Sequence, residues 1–168
     1  MLAVEAAMRS YAPDYGGDID EWGLAGLLHD FDWEIHPTLA QHPHDGAPLL
    51  RARHVSESVV RCILSHADHT GVPRTTPMEK ALYACDEITG LITAVALVRP
   101  SRSLHDLTAR SVRKKWGDLR FAATVDREQI ERAAAEMGVE LWGHVDRVIA
   151  AMRTIAPQLG LEGSAHGA

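Results

Sequence analysis

The tetrapeptide Thr76-Pro77-Met78-Glu79 is the tightest constraint on how this chain can fold. Thr and Glu three residues apart form a capping box. Proline at the first helical position has its φ preset and lacks only an N–H that would have no partner there. The helix it opens runs to about Val98 before Pro100 stops it, and it carries Asp86 near its middle. Similar signals recur along the chain. Asp18 and Asp20 are candidate N-caps of a helix ending near His29, with Leu24, Leu27 and Leu28 on its inner face. Ser56 caps a helix in which Val59, Val60, Ile63 and Leu64 recur at helical spacing, ending at Ser65-His66. Leu2 to Ala12 is an Ala-rich amphipathic helix that starts without a cap, and a short helix spans Gly46 to about Arg53. Ser103 caps a basic helix to Trp116, Asp126-Arg-Glu-Gln129 opens another closed by Gly138, and Val139 to about Ala156 is the last. Phe31 to Asp45, with two prolines and three histidines, reads as a loop. No stretch alternates apolar and polar residues as a strand would, and no segment repeats. The pattern predicts an all-α single domain over residues 1–158, followed by a flexible C-terminal tail over 159–168.

Composition narrows the class. The net charge of -6 argues against nucleic acid and against an anionic membrane as partners. The longest apolar stretch, Leu91 to Val98, falls well short of the roughly 20 residues that span a bilayer. Cys62 and Cys85 are far apart and lie on apolar helical faces, which favours buried thiols in a reducing cytoplasm over a disulfide. The expected location is therefore cytoplasmic.

The candidate chemistry lies in the His-rich first half, where seven of the ten histidines fall between His29 and His69. His29-Asp30 ends the apolar run Trp22 to Leu28, and Asp86 lies in the apolar context Ala81-Leu-Tyr-Ala-Cys-Asp86. Taken alone, each has a plainer explanation, a cap or a salt bridge, because an unpaired buried carboxylate needs some partner. Taken together, one imidazole and two carboxylates from separate helices make a mixed N/O site suited to Mn, Fe, Ni, Mg or Zn. His42 and His66 lie at or just after the ends of other elements, where their side chains can turn toward the same pocket. A cation there would lower the pKa of a water and neutralise phosphate oxygens, and two cations about 3.5–4 Å apart would do both at once. Gly90, mid-helix, costs about 1 kcal/mol relative to Ala and points to a close helix crossing in preference to room for a ligand beside Asp86.

At these residues the chain resembles the HD-domain superfamily of metal-dependent phosphohydrolases, and more closely a small bacterial subgroup of HDIG-type hydrolases. The marks are Gly26-Leu-Leu-His-Asp-Phe-Asp32, His42-Pro-His-Asp-Gly46, Ile63-Leu-Ser-His66, Thr70-Gly-Val-Pro-Arg74, Asp86-Glu-Ile-Thr-Gly90 and Ala96-Leu-Val-Arg-Pro-Ser101, all in this order. The resemblance implies an HD-type helical bundle and a ligand pattern of His, His-Asp and a final Asp, with extra histidines where two metals are held. His29, Asp30 and Asp86 match the last three ligands, and His42 and His66 match the extra histidines. One or two divalent ions per chain are implied, with Asp30 as the bridging and catalytic residue. His69 is read as a surface residue in preference to a partner of the site. The first histidine has no counterpart, since Met1 stands where the resemblance places it. Either the natural chain begins upstream or the ligand is lost; the intact state of the other motifs favours the former, with the first helix truncated at its start.

Basic residues Arg99, Arg102, Arg113, Lys114, Lys115, Arg120 and Arg127 cluster in the second half, either as a solvated face or as groups holding substrate phosphate. Arg99 is the foremost candidate for substrate binding, followed by Lys80 and Lys115. Trp22, Trp116 and Trp142 read as packing residues, with Trp33 the one tryptophan placed to stack near the ligand pair. The expected function is hydrolysis of a nucleotide or other small phosphoester through metal-activated water. The alternative is a catalytically weak HD-type module that binds a nucleotide or a partner protein. A homodimer is implied by the resemblance alone.

Overall fold

Residues 1–163 are described by the computed structural model. Its helices are α1 (Leu2–Tyr11), α2 (Ile19–Leu28), α3 (Ala47–Ala52), α4 (Glu57–Ser65), α5 (Pro77–Leu97), α6 (Ala109–Trp116), α7 (Arg127–Met137) and α8 (Leu141–Arg153), with 3-10 turns at Ala12–Tyr15 and Asp68–Thr70. Among the described residues β pairing amounts to one isolated bridge, Ser103 to Glu162. The fold is all-α. The chain divides into two compact units, Met1–Tyr83 and Ala84 onward, with the boundary inside α5.

In the first unit the helices start where short-range chemistry directs. The Glu21 amide donates to Asp18 Oδ1 at 2.8 Å, and the Val59 amide to Ser56 Oγ at 3.4 Å. The capping box closes reciprocally, with Thr76 N–H on Glu79 Oε2 at 2.9 Å and Glu79 N–H on Thr76 Oγ1 at 3.3 Å. Glu79 is 1% exposed and also ion-pairs with Arg61 of α4 at 2.8 Å, so one carboxylate both starts α5 and ties it to α4. Burial opposes its charge, but the Thr76 and Thr75 amides and then Arg61 outweigh burial and hold its pKa below the ordinary 4.5.

Helix α2 differs from expectation. It buries Trp22, Gly23, Ala25 and Gly26, while Leu24 is exposed and Leu27 and Leu28 are only partly covered. The cause is a close approach of α1. A methyl on Gly26 would lie 2.9 Å from backbone atoms of Val4 and Glu5, so the small-residue face is the one that fits. The crossing expected at Gly90 is not there: that residue is exposed, and a methyl on it would meet nothing within 4 Å.

The second unit departs from the sequence reading at Ser103, which caps no helix. Leu104 and Leu107 are fully buried in irregular backbone. Arg153 donates to their carbonyls at 3.1 and 3.0 Å, and the Leu104 amide donates to Leu161 O at 2.9 Å. With those groups paired tertiarily, α6 begins only at Ala109, whose amide donates to Asp146 Oδ1 at 2.8 Å. Within the expected C-terminal tail, Leu161 is 1% exposed and Glu162 O accepts from Ser103 Oγ at 3.0 Å. Its remainder, from Ser164 on, lies outside the described residues. Both cysteines are free, buried thiols, and burial raises the pKa of each. No helix among the described residues is long and apolar enough to cross a membrane.

Candidate metal centre

The last carbonyls of a helix have no intrahelical donor. Two histidines of the first unit use this in the same way. His29, the C-cap of α2, donates from Nδ1 to Gly26 O at 2.8 Å, and His66, the C-cap of α4, donates from Nδ1 to Ile63 O at 2.6 Å. A carbonyl only accepts, so each Nδ1 carries the hydrogen and each neutral ring keeps its lone pair on Nε2. His42, in the loop between α2 and α3, reaches the same state differently, with Nδ1 on Asp32 Oδ1 at 2.7 Å. Three anchors thus produce one tautomer, in which Nε2 is the coordinating atom.

These nitrogens face one carboxylate. Asp30 Oδ1 lies 3.2 Å from His42 Nε2 and 3.6 Å from His66 Nε2, and its Oδ2 lies 3.4 Å from His29 Nε2. Ligand atoms of Asp30, His42 and His66 all fall within 4.8 Å of one another. His42 Nε2 and His66 Nε2 are 3.3 Å apart. With both Nδ1 atoms protonated, two lone pairs oppose each other across that gap, an arrangement that requires a proton or a cation between them. Nitrogens at about 2.1 Å from a shared ion stand roughly 3.0–3.4 Å apart at tetrahedral or octahedral angles, so the donor set fits a metal. The imidazoles are buried, whereas the Asp30 side chain is 44% exposed and forms the open side of the cluster. Burial opposes charge on Asp30, but when His29 and His66 carry a second hydrogen on Nε2, their hydrogen bonds and positive field prevail and hold the carboxyl well below its usual range.

Asp32, which no sequence motif marks as a site residue, is 0% exposed and pairs with His42. The available signal was a carboxylate flanked by Phe31 and Trp33, the residue pattern of a buried charge. His69 was read as a surface residue; it is exposed, yet its Nε2 bonds His42 O at 2.8 Å and so steadies the loop that carries the ligand. The Trp33 ring stands edge-on to His42 at 4.8 Å between centroids. Asp86 is half-buried on α5, in the second unit. The basic candidates are engaged locally. Arg99 donates to Asp106 Oδ2 at 2.6 Å and to Ser111 Oγ at 3.1 Å. Lys115 Nζ lies 5.2 Å from the centre of the Phe121 ring, and Lys80 is half-buried in the first turn of α5. Arg127 is 8% exposed and donates to the carbonyls of Ala122, Val125, Phe121 and Asp118, which makes it the pin of that loop.

The HD domain family model matches residues 1–91, more than half of the 168. The chain belongs to the HD domain family. HD domains bind divalent metals and are generally metal-dependent phosphohydrolases. The matched HD segment contains His29, Asp30, His42, His66 and Asp86. No curated protein and no solved structure matches the chain significantly.

Proposed function

We propose that this HD domain is a metal-dependent phosphohydrolase acting on a nucleotide or another small phosphoester. The observation that carries the reading is the facing of His42 and His66 Nε2 atoms, 3.3 Å apart, beside the Asp30 carboxylate. Asp30, His42 and His66 would hold the cation, Mn, Fe, Ni, Mg or Zn, with His29 steering Asp30 Oδ2 and available to a second ion. The family pattern gives Asp86 a ligand's part as well, tested separately by Asp86→Ala.

A divalent ion at such a site activates water and neutralises phosphate oxygens. The rest belongs to the chain. The three Nδ1 anchors orient the rings and leave Nε2 as the coordinating atom of each. Asp30 stays ionised and open to solvent, which makes it the side from which a phosphoester approaches. The buried rings close the other sides.

The test is release of phosphate from a panel of nucleoside mono-, di- and triphosphates and simple phosphomonoesters and diesters. Protein loaded in turn with each of the five metals is compared with chelated protein and with Asp30→Ala. Turnover with at least one metal, abolished by chelator and by Asp30→Ala, is expected. Metal retained without turnover on any class would overturn the hydrolase reading and leave a binding module.

A further inference from the structure

Asp32 is enclosed completely, and only one of its oxygens is used. Oδ1 accepts from His42 Nδ1 at 2.7 Å, whereas Oδ2 has no hydrogen-bond partner. A buried carboxylate with half of its acceptor capacity idle is strongly unfavourable unless positive charge lies close by. Among the described residues its ion-pair partner is His42. A neutral His42 would supply only an ordinary hydrogen bond. A cation on the far nitrogen of the same ring polarises the Nδ1–H and gives Asp32 the charge its burial demands.

The far nitrogen is the one that faces Asp30 and His66. We propose that Asp32 is a positioning residue of the centre: it holds His42 in the tautomer and orientation that presents Nε2, and strengthens that nitrogen as a donor to a divalent cation. The assignment rests on the metal-centre reading above and adds a residue outside the ligand set.

An independent observation comes from Gly46. A methyl there would lie 2.4 Å from Asp32 Oδ2 and 2.6 Å from its Cγ. Its φ of -74° and ψ of -32° are ordinary helical values that any residue adopts, so the position needs glycine for space and not for conformation. The space is that of the Asp32 carboxylate. His69 braces the same loop through the His42 carbonyl. The segment His42-Pro-His-Asp-Gly46 therefore carries both the ring and the room for the group that orients it.

Two variants test this. Asp32→Asn keeps the shape and removes the charge, and Gly46→Ala keeps the carboxylate and pushes it out of place. Metal-stripped wild type and both full-length variants are titrated with Mn2+ and with Zn2+ by calorimetry. Melting of the stripped proteins and the ring 15N shifts of His42 are recorded alongside. We expect both variants to bind roughly 10–100-fold more weakly than wild type, the usual loss when a ligand's orienting partner is removed. Gly46→Ala should melt close to wild type when stripped. The His42 shifts should report Nδ1–H in the wild type and a mixture of tautomers in Asp32→Asn. If Asp32→Asn does not fold, Gly46→Ala carries the affinity test. Undiminished affinity in a folded variant, or an Nε2–H ring at His42 in the stripped wild type, overturns the assignment while leaving the metal centre standing. A wild type that takes up neither ion overturns both.

Discussion

His144 on α8 is 2% exposed, and His66 at the end of α4 is 4% exposed. The two rings are equally hidden, yet they are wired in opposite senses. His144 donates from Nε2 to Ala84 O at 2.8 Å, so the nitrogen that a ligand would offer is committed to the backbone of its own unit. His66 is anchored through Nδ1, and its Nε2 faces a second imidazole and a carboxylate. Burial alone therefore does not distinguish a core histidine from a ligand. What distinguishes them is which nitrogen the fold uses up and what the other one meets. Burial is the main influence on His144 and depresses its pKa below the ordinary 6.5, only partly offset by the Ala84 carbonyl.

The sharpest way to break this comparison is to remove each ring in turn. His66→Ala should weaken metal binding by about 100-fold or more, since losing even an outer partner costs 10–100-fold. The stripped protein should also lose about 1–3 kcal/mol, because the Ile63 carbonyl loses its His66 donor. His144→Ala should leave metal binding unchanged and destabilise by about 1–3 kcal/mol, the cost of orphaning a buried carbonyl. Calorimetric titration and denaturant unfolding of both variants check the pair, and a metal defect in His144→Ala would end the distinction. The pH dependence of stability sharpens it further. Below pH 6.5 the unfolded His144 ring takes up a proton that the folded ring refuses, so stability attributable to it falls as pH drops from there. The His144→Ala variant should show a flatter curve between pH 7 and 5.

The other expected effects concern the scaffold that delivers His29. Gly26→Val should destabilise by about 1–3 kcal/mol, because the methyls meet α1 backbone that cannot move aside cheaply. Glu79→Ala should cost about 1 kcal/mol through the lost cap, measured by denaturant. The contribution of Glu79 is present above pH 4.5 and is lost as pH falls through its lower folded value. Leu24→Ala should fall within about 0.5 kcal/mol of wild type, as surface substitutions do. A larger loss would mean that the leucine face of α2 is covered after all.

These scaffold positions also show how much of the molecule could be read from residues alone. Asp18, Ser56, Thr76-Glu79 and Asp126 were legible because a cap and its amide are three residues apart. The inner face of α2 was not, because hydropathy favours leucine while the close approach of α1 favours Gly26, and that approach is a tertiary fact. Ser103 misled for a related reason: it has the residue type of a cap, but Arg153 and Leu161 take the backbone groups a helix would use. In the candidate centre, Asp30, His42 and His66 are candidates by residue type, and the structure brings their ligand atoms within 4.8 Å of one another. Asp32 was passed over because its role depends on a ring ten residues away in an irregular loop, where no periodicity signals it. Arg99 and Arg127 looked like phosphate ligands by type, and only their partners, Asp106 and four backbone carbonyls, show what their guanidinium groups hold.

The most direct test of the account is metal content per chain by elemental analysis, on wild type and on Asp30→Ala purified in parallel. The facing imidazoles and the ionised carboxylate predict one or two divalent ions per wild-type chain, retained through dialysis, and none in Asp30→Ala. A wild type that carries no divalent ion and takes none up on incubation, or an Asp30→Ala variant that keeps the full complement, would contradict it.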